Sequence, residues 1–259
     1  PAVLALLLPV AASADDWLLL GNDGHWRFAT HRYGRMVAVD GDRAYVGYMS
    51  NDAVTGSRVV AIDVPQERVI VNCDIGGRLA HGKRDDHNYP TIALTENGVL
   101  HAFFGCHCTP LLYRRGDFRS SDPVWSATTE VGQLATYPRV FADRNGRRLV
   151  VFFRQGHRSA DPVSFGYIES NDMGQTWSAF RPAISEKLHN GINAWPYVGG
   201  VYLDGEMVHI AVSWWVYHSD GTTRKEYDDP CYFQHRLGSN TVQEADGDIC
   251  PAPVTRAQL

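Results

Sequence analysis

The chain has 259 residues, of which 44% are hydrophobic, 11% are aromatic and 20% are charged. This composition is that of an ordinary soluble globular protein with one large domain or two small ones, and it excludes a disordered chain. The net charge is −5 and no basic stripe is present, so nucleic acid is not an expected partner. An anionic substrate would have to be held by local basic residues.

The first residues predict export. Residues 2–14 form an apolar run that ends in Ala-Ser-Ala, as in the h-region and cleavage site of a secretory signal peptide. The run is too short for a transmembrane helix and Pro9 interrupts it, so no membrane contact is expected. A buried N-terminal helix is the alternative. We therefore expect a signal-peptide remnant over residues 1–14, a secreted or periplasmic protein, and a chain truncated at its C-terminus.

After residue 33 the pattern is that of short strands rich in Val, Ile, Tyr, Phe and Trp, and no long stretch has the helical period. The predicted strands are Arg35–Val39, Ala44–Met49, Arg58–Val64, Val99–Gly105, Arg148–Arg154, Phe165–Ser170 and Met207–Trp214. Hairpin turns are predicted at Asp40-Gly41, Asn97-Gly98, Asn145-Gly146 and Asp204-Gly205. The fold class is all-β.

The strands also repeat. Tyr89-Pro90, Tyr137-Pro138 and Trp195-Pro196 each begin a unit of strand, turn and second apolar strand. A repeat of about 50 residues with four strands is typical of a β-propeller blade. A β-sandwich would explain the turns but not the recurring aromatic-Pro start. Residues 15–259 are therefore predicted to form one β-propeller domain with room for about four blades, either a small propeller or part of a larger one.

The segment Ser170–Trp177 fits the pattern Ser-x-Asp-x-Gly-x-Thr-Trp. It resembles the Asp-box of sialidase-like propellers. Asp172 is expected to bind the turn backbone, Gly174 to adopt a positive φ, and Trp177 to pack between sheets. We therefore predict a structural role for Asp172.

The densest polar cluster, Asp85–Pro90, directly precedes a predicted strand. His107 ends the second strand of the same blade, so hairpin pairing is expected to bring it beside His87. The alternative is a plain loop with Asx-type hydrogen bonds.

Equivalent positions in the following blades carry further polar side chains. Tyr137 matches Tyr89, Arg154 matches His107, and Tyr197 lies at the head of the next blade. Because equivalent positions of successive blades face the same channel, we expect these side chains to share one pocket with the two histidines. The alternative is that the tyrosines only pack against their prolines.

This set of residue types favours β-elimination over hydrolysis. Most glycoside hydrolases need two carboxylates, and no acidic pair occupies matching blade positions. In elimination, a cation binds the uronate carboxylate, a base removes the C5 proton, and an acid protonates the leaving oxygen. Arg suits the first task, and His and Tyr suit the others.

These residues resemble the BNR-4 repeat group, which includes secreted ulvan lyases and related rhamnose–glucuronate lyases. The matching segments are His87-Asn88-Tyr89-Pro90, Gly105-Cys106-His107, Tyr137-Pro138, Arg154-Gln155-Gly156-His157 and Trp195-Pro196-Tyr197.

The resemblance implies a seven-bladed propeller with its site at the central channel, of which this chain would hold a part. It implies that His87 and His107 are catalytic or face the carboxylate, leaving open which of them is the base. It further implies that Tyr137 is the acid or base, that Arg154 neutralises the carboxylate, and that the substrate is bound by Asn88, Trp195 and Tyr197.

The elimination itself requires no cofactor, but the resemblance also suggests a structural Zn²⁺ or Ca²⁺. Cys231 and His235 lie at i and i+4 on one strand face, and together with His157 they are the candidate ligands, with His218 as a fourth. A free or disulfide-bonded Cys231 is the alternative. The chain has five cysteines, and their pairing is left open.

The predicted function is that of a secreted, monomeric polysaccharide lyase acting on a uronate-containing anionic glycan. One alternative is a sialidase-like glycoside hydrolase, which needs an arginine triad and a Tyr–Glu pair that are not evident. The other is a non-catalytic glycan-binding propeller that would stack sugars on Trp195, Trp214 and Trp215.

Overall fold

The computed structural model describes residues 34–50, 56–77, 85, 87–118, 122–143, 147–156, 162–186, 192–218 and 226–255. Within these ranges the chain forms seventeen β-strands and no helix. In the same residues, no helix has the length and apolar character needed to cross a membrane. The signal-peptide prediction for residues 1–14 lies outside the described residues.

Blade 1 is a four-stranded antiparallel sheet in which neighbours in sequence are neighbours in space. Its strands are β1 (Val37–Asp40), β2 (Arg43–Met49), β3 (Ser57–Asp63) and β4 (Arg68–Gly76). Gly41 has a φ of 54° between β1 and β2, which a residue with a side chain rarely adopts. The hairpin predicted at Asp40-Gly41 is confirmed.

Blades 2 and 3 are joined into one sheet by a shared strand. Blade 2 has β5 (Thr91–Leu94), β6 (Val99–Phe104), β7 (Thr109–Asp117) and β8 (Val124–Trp125). Blade 3 has β9 (Thr129–Ala142), β10 (Leu149–Gln155), β11 (Val163–Ser170) and β12 (Arg181–Glu186). The hairpin predicted at Asn97-Gly98 joins β5 to β6, whereas Asn145-Gly146 lies outside the described residues.

Strand β9 closes blade 2 and opens blade 3. Its first half pairs with β7 and its second half with β10. Leu134 and Tyr137 have φ values of 48° and 62° where the strand changes partner. Positive φ in a residue other than Gly is uncommon and marks a sharp local change of direction. The bend therefore falls at Tyr137.

Blade 4 is a five-stranded antiparallel sheet. It contains β13 (Ile192–Asp204), β14 (Met207–His218), β15 (Glu226–Arg236), β16 (Thr241–Glu244) and β17 (Ile249–Pro251). The hairpin predicted at Asp204-Gly205 joins β13 to β14. Four blades arranged in an unclosed series confirm the prediction of an all-β fold that is part of a propeller.

The core lies between the blades. Phe152 and Phe153 are adjacent on β10, so their side chains point to opposite faces of blade 3. Phe153 belongs to a hydrophobic cluster between blades 2 and 3. Phe152 belongs to a second cluster, between blades 3 and 4, that also contains Trp214. A third cluster joins blades 1 and 2. Full burial of each such side chain contributes about 1.5–3 kcal/mol, so every blade depends on its neighbours for stability.

The turn after β11 has the local structure predicted for Ser170–Trp177. One oxygen of Asp172 accepts the backbone N–H groups of Gln175 (3.0 Å) and Thr176 (2.9 Å), and the other accepts the Thr176 hydroxyl. These hydrogen bonds, that of the Thr176 hydroxyl foremost, lower the pKa of Asp172 to about 2. Trp177 makes an edge-on contact with Tyr113 of blade 2. The motif thus stabilises a turn and a contact between blades.

Candidate active site

Five predicted site residues come together at one end of the blades. His87 lies directly before β5 and His107 between β6 and β7. Tyr137 lies at the bend of β9, Arg154 near the end of β10, and Tyr197 in β13. Three blades thus supply one group of side chains, as expected from equivalent positions in successive repeats.

The two histidines are stacked. Their ring centroids are 3.8 Å apart with 16° between the ring planes. Nδ1 of His87 is hydrogen-bonded to one carboxylate oxygen of Asp85, and Nδ1 of His107 is hydrogen-bonded to the other. The Asp85 side chain is 9% exposed, so one largely buried carboxylate orients both imidazoles.

The role of Asp85 was missed by the sequence reasoning, which treated it as part of a polar loop. Partial burial acts to raise the pKa of the Asp85 carboxyl, but the hydrogen bonds from His107 and His87 outweigh it, and the pKa lies well below its usual range. An ionised carboxylate only accepts hydrogen bonds, so Nδ1 of each imidazole carries a hydrogen. The Asp-x-His spacing is the signal that could have revealed this pairing.

The tautomer of His87 determines how it meets Tyr137. With its hydrogen on Nδ1, a neutral His87 has an unprotonated Nε2, which lies 3.1 Å from the Tyr137 hydroxyl oxygen. Tyr137 therefore donates to His87 in this contact. The same hydroxyl lies 3.5 Å from that of Tyr197, so the two tyrosines and the histidine form one hydrogen-bonded row.

Arg154 lies against both tyrosine rings. Its guanidinium carbon is 4.8 Å from the ring centroid of Tyr137 and 5.1 Å from that of Tyr197. Burial acts to lower the pKa of Arg154, but the phenol oxygens of Tyr197 and Tyr137 outweigh it and the pKa is raised. The side chain is therefore a permanent cation in a confined position.

Arg154 retains unused hydrogen-bonding capacity. The residue is 7% exposed, and neither Nε nor Nη1 has a hydrogen-bond partner among the residues that the structure describes. A buried charged donor without a partner costs free energy until an acceptor binds it. The arrangement fits an anionic group that approaches Arg154 beside Tyr137.

The three predicted substrate-binding residues differ in their surroundings. Asn88 is fully buried, and its side-chain amide donates to the Asp85 carbonyl (3.1 Å), which fixes the loop that carries His87. Trp195 is 8% exposed and packs edge-on against Trp215. Tyr197 is partly buried and also rests on Trp215. Substrate contact by these three residues stays a prediction.

The predicted metal ligands are only partly described. His157 lies outside the described residues, as does the side chain of His218. His235 is hydrogen-bonded through Nδ1 to the Thr241 carbonyl (3.0 Å), and neither it nor Cys231 joins a group of three metal-ligating side chains in the described part of the chain. Such a group does occur at Asp85, His87 and His107. All five cysteines lie in described segments, and no disulfide joins any two of them there.

The model of the BNR repeat-containing family matches residues 43–258. None of the curated proteins that were compared matches the chain in sequence. A solved structure titled as a polysaccharide lyase of family PL25, an ulvan lyase, aligns with a TM-score of 0.73 at 15% identity, covering 93% of this chain and 60% of that one.

A second structure of such an ulvan lyase, bound to -[GlcA(1-4)Rha3S]-, aligns with a TM-score of 0.72 at 15% identity and the same coverage. A Hadza microbial sialidase aligns with a TM-score of 0.48 at 14% identity, covering 82% of this chain and 46% of that one. The chain spans about three fifths of the length of the ulvan lyase structures, and at these identities the similarity shows a shared fold.

Proposed function

The chain belongs to the BNR repeat-containing family, and from this premise we propose that it is a polysaccharide lyase that cleaves a uronate-containing anionic glycan by β-elimination. The observation that carries the proposal is the buried Arg154 guanidinium, with two hydrogen-bonding nitrogens that have no partner among the described residues. A uronate carboxylate is an anion whose oxygens accept charge-assisted hydrogen bonds, so it suits a guanidinium cation held against Tyr137 and Tyr197.

The carboxylate bound at Arg154 activates the neighbouring carbon. Ion pairing stabilises the negative charge that develops on the carboxylate side when the C5–H bond breaks. The two tyrosine rings beneath the guanidinium keep it in place and exclude water from one side. The charge interaction is therefore stronger than it would be in open solvent.

We assign the proton transfers to His87 and Tyr137. Nε2 of His87 removes the C5 proton, the electron pair forms the C4=C5 double bond, and the C4–O bond breaks. The Tyr137 hydroxyl gives its proton to the departing oxygen. The proton on Nε2 then returns to the Tyr137 oxygen across their 3.1 Å contact, which restores both groups. Asp85 stabilises the charged imidazole during this cycle.

Two observations weigh against the other functions. Asp85 is the carboxylate that the described residues place at this site, and both imidazoles engage it, whereas hydrolysis by the usual route needs two carboxylates with separate tasks. Trp195, Trp214 and Trp215 are 8%, 1% and 9% exposed, so they offer little surface on which a bound sugar would stack.

We further propose a rhamnose–glucuronate polymer as the substrate class. The support is the fold shared with an ulvan lyase that was solved with -[GlcA(1-4)Rha3S]-. A polymer of this kind is found outside cells, so the proposal includes export, guided by the signal-peptide pattern of residues 1–14. We expect a monomer.

The test is a product assay on the protein with a panel of uronate polysaccharides that includes ulvan. β-Elimination leaves a conjugated unsaturated uronate that absorbs in the ultraviolet, and hydrolysis does not. A rise in absorbance with one polymer supports the proposal and identifies the substrate. New reducing ends without absorbance would show a hydrolase, and binding of a polymer without any cleavage would show a glycan-binding protein.

A further inference from the structure

We propose that Asp85, His87 and His107 form a binding site for a divalent transition-metal ion of the Zn²⁺ class, and that the bound ion inhibits the enzyme. One ligand atom from each of the three side chains lies within 4.8 Å of the others. Two imidazoles and one carboxylate are a ligand set that Zn²⁺ accepts, with a fourth position left for water. This site is distinct from the one predicted at Cys231 and His235.

The surroundings of the three side chains suit an ion that enters from solvent. The side chains of His87 and His107 are 20% and 26% exposed, whereas the Asp85 side chain is 9% exposed. Both Nδ1 atoms are hydrogen-bonded to the same carboxylate, so the three ligand atoms lie close together before any ion arrives. The Asp85 carboxylate supplies an oxygen ligand beside the two imidazole nitrogens.

Coordination requires one rearrangement. A metal ion lies in the plane of each imidazole that binds it, and the two ring planes are only 16° apart at a centroid separation of 3.8 Å. One ring must therefore turn about its Cβ–Cγ bond to bring both lone pairs to a single point. The stacking of His87 on His107 is then lost, which gives metal binding a structural signature.

Metal binding reverses the hydrogen bond between His87 and Tyr137. An ion on Nδ1 displaces the hydrogen from that atom, so a neutral imidazole carries it on Nε2. In the metal-free protein Nε2 of His87 accepts a hydrogen bond from the Tyr137 hydroxyl, whereas in the metal-bound protein Nε2 donates to the Tyr137 oxygen. Nε2 can then no longer take a proton from the substrate. This inhibition rests on the proposed function, whereas the binding itself does not.

The test is calorimetric titration of Zn²⁺ into protein that has been freed of metal with a chelator. One ion is expected to bind per chain, and Asp85→Asn and His107→Gln are each expected to weaken binding at least 10-fold. Cys231→Ser and His235→Gln are the matched controls and are expected to bind as the parent does. Circular dichroism of each variant shows whether it is folded, and the second site variant serves if the first is not.

Two results would overturn the proposal: unchanged Zn²⁺ affinity in both folded site variants, or binding that disappears in the Cys231 and His235 controls. Product assays with and without Zn²⁺ separate this proposal from the proposed function. Activity that zinc abolishes and chelator restores supports both. If the protein binds one zinc ion per chain but has no lyase activity, the proposed function and the proposed inhibition are wrong and the proposed metal site is supported.

Discussion

Nε2 of His87 lies 3.1 Å from the hydroxyl oxygen of Tyr137, although the two residues are 50 positions apart and belong to different blades. Asp85 holds the other nitrogen of the imidazole, so the direction of the hydrogen bond is set: Tyr137 donates and His87 accepts. In the proposed mechanism this contact joins the base to the proton donor, beside the guanidinium of Arg154.

Replacement of the Tyr137 hydroxyl tests this pair. In Tyr137→Phe the ring that supports Arg154 stays, but the leaving oxygen has no proton donor. We expect the rate of unsaturated product formation to fall by about 10²- to 10⁴-fold, the range for loss of a general acid. Tyr202→Phe is the control, since Tyr202 is 58% exposed on blade 4. Full activity of Tyr137→Phe would show that the acid is another group.

The role of Arg154 in carboxylate binding is tested by a substitution that keeps the positive charge but removes the planar guanidinium. Arg154→Lys retains a cation but cannot make two parallel bonds to a carboxylate, so kcat/KM for a uronate polymer should fall by about 10²-fold or more. Arg154→Ala should give no measurable product. As controls, Arg68→Lys and Arg68→Ala should leave kcat/KM unaltered, because the Arg68 side chain is 58% exposed. Equal activity of Arg154→Lys and the parent would contradict the assignment of Arg154 to carboxylate binding.

Asp85 is expected to act through the two imidazoles, as a positioning residue. In Asp85→Asn the amide cannot stabilise a protonated imidazole, so we expect kcat to fall by about 10- to 100-fold with KM within a factor of about two. Steady-state kinetics separates the two parameters, and Asp63→Asn in blade 1 serves as control. A rise in KM with unchanged kcat would instead indicate that Asp85 shapes the substrate-binding surface.

The sequence predicted which residues meet at the site, but it did not predict the hydrogen bonds that link them. Repeated aromatic-Pro starts placed Tyr137 and Tyr197 at the heads of successive blades, and hairpin pairing placed His107 near His87. The partnership of Asp85 was not predictable from a strand pattern, because it depends on a local turn in which the Asp85 carboxylate also accepts the His87 backbone N–H at 3.0 Å.

The bend of β9 was also beyond the sequence reasoning. The repeat unit that starts at Tyr137-Pro138 predicts a strand but does not show that the strand changes partner from β7 to β10. The positive φ of Tyr137 lies where the strand changes partner, and a tyrosine rarely adopts it. Burial depth was likewise not encoded in the pattern, since Trp195 looks like a sugar platform in sequence and is 8% exposed in the fold.

A buried histidine away from the site predicts how stability depends on pH. His101 is fully buried on β6, and its Nδ1 lies 2.8 Å from the Tyr113 hydroxyl. Burial, assisted by the nearby positive charge of Arg115, lowers the pKa of His101 from 6.5 to about 4. The folded protein thus holds His101 neutral over a range in which the unfolded chain would protonate it.

The sign follows from proton binding. Between pH 6.5 and about 4 the unfolded chain binds more protons at this residue, so the free energy of unfolding falls as the pH falls. The stabilisation that the depressed pKa of His101 gives the folded protein is fully present above pH 6.5 and is lost as the pH falls to about 4. It amounts to about 3 kcal/mol.

His101→Asn keeps a polar group near Tyr113 and removes the titration. Denaturant unfolding at several pH values should therefore give a flatter pH dependence for the variant. Parallel curves for variant and parent would show that His101 is already protonated in the folded protein or does not titrate differently on unfolding.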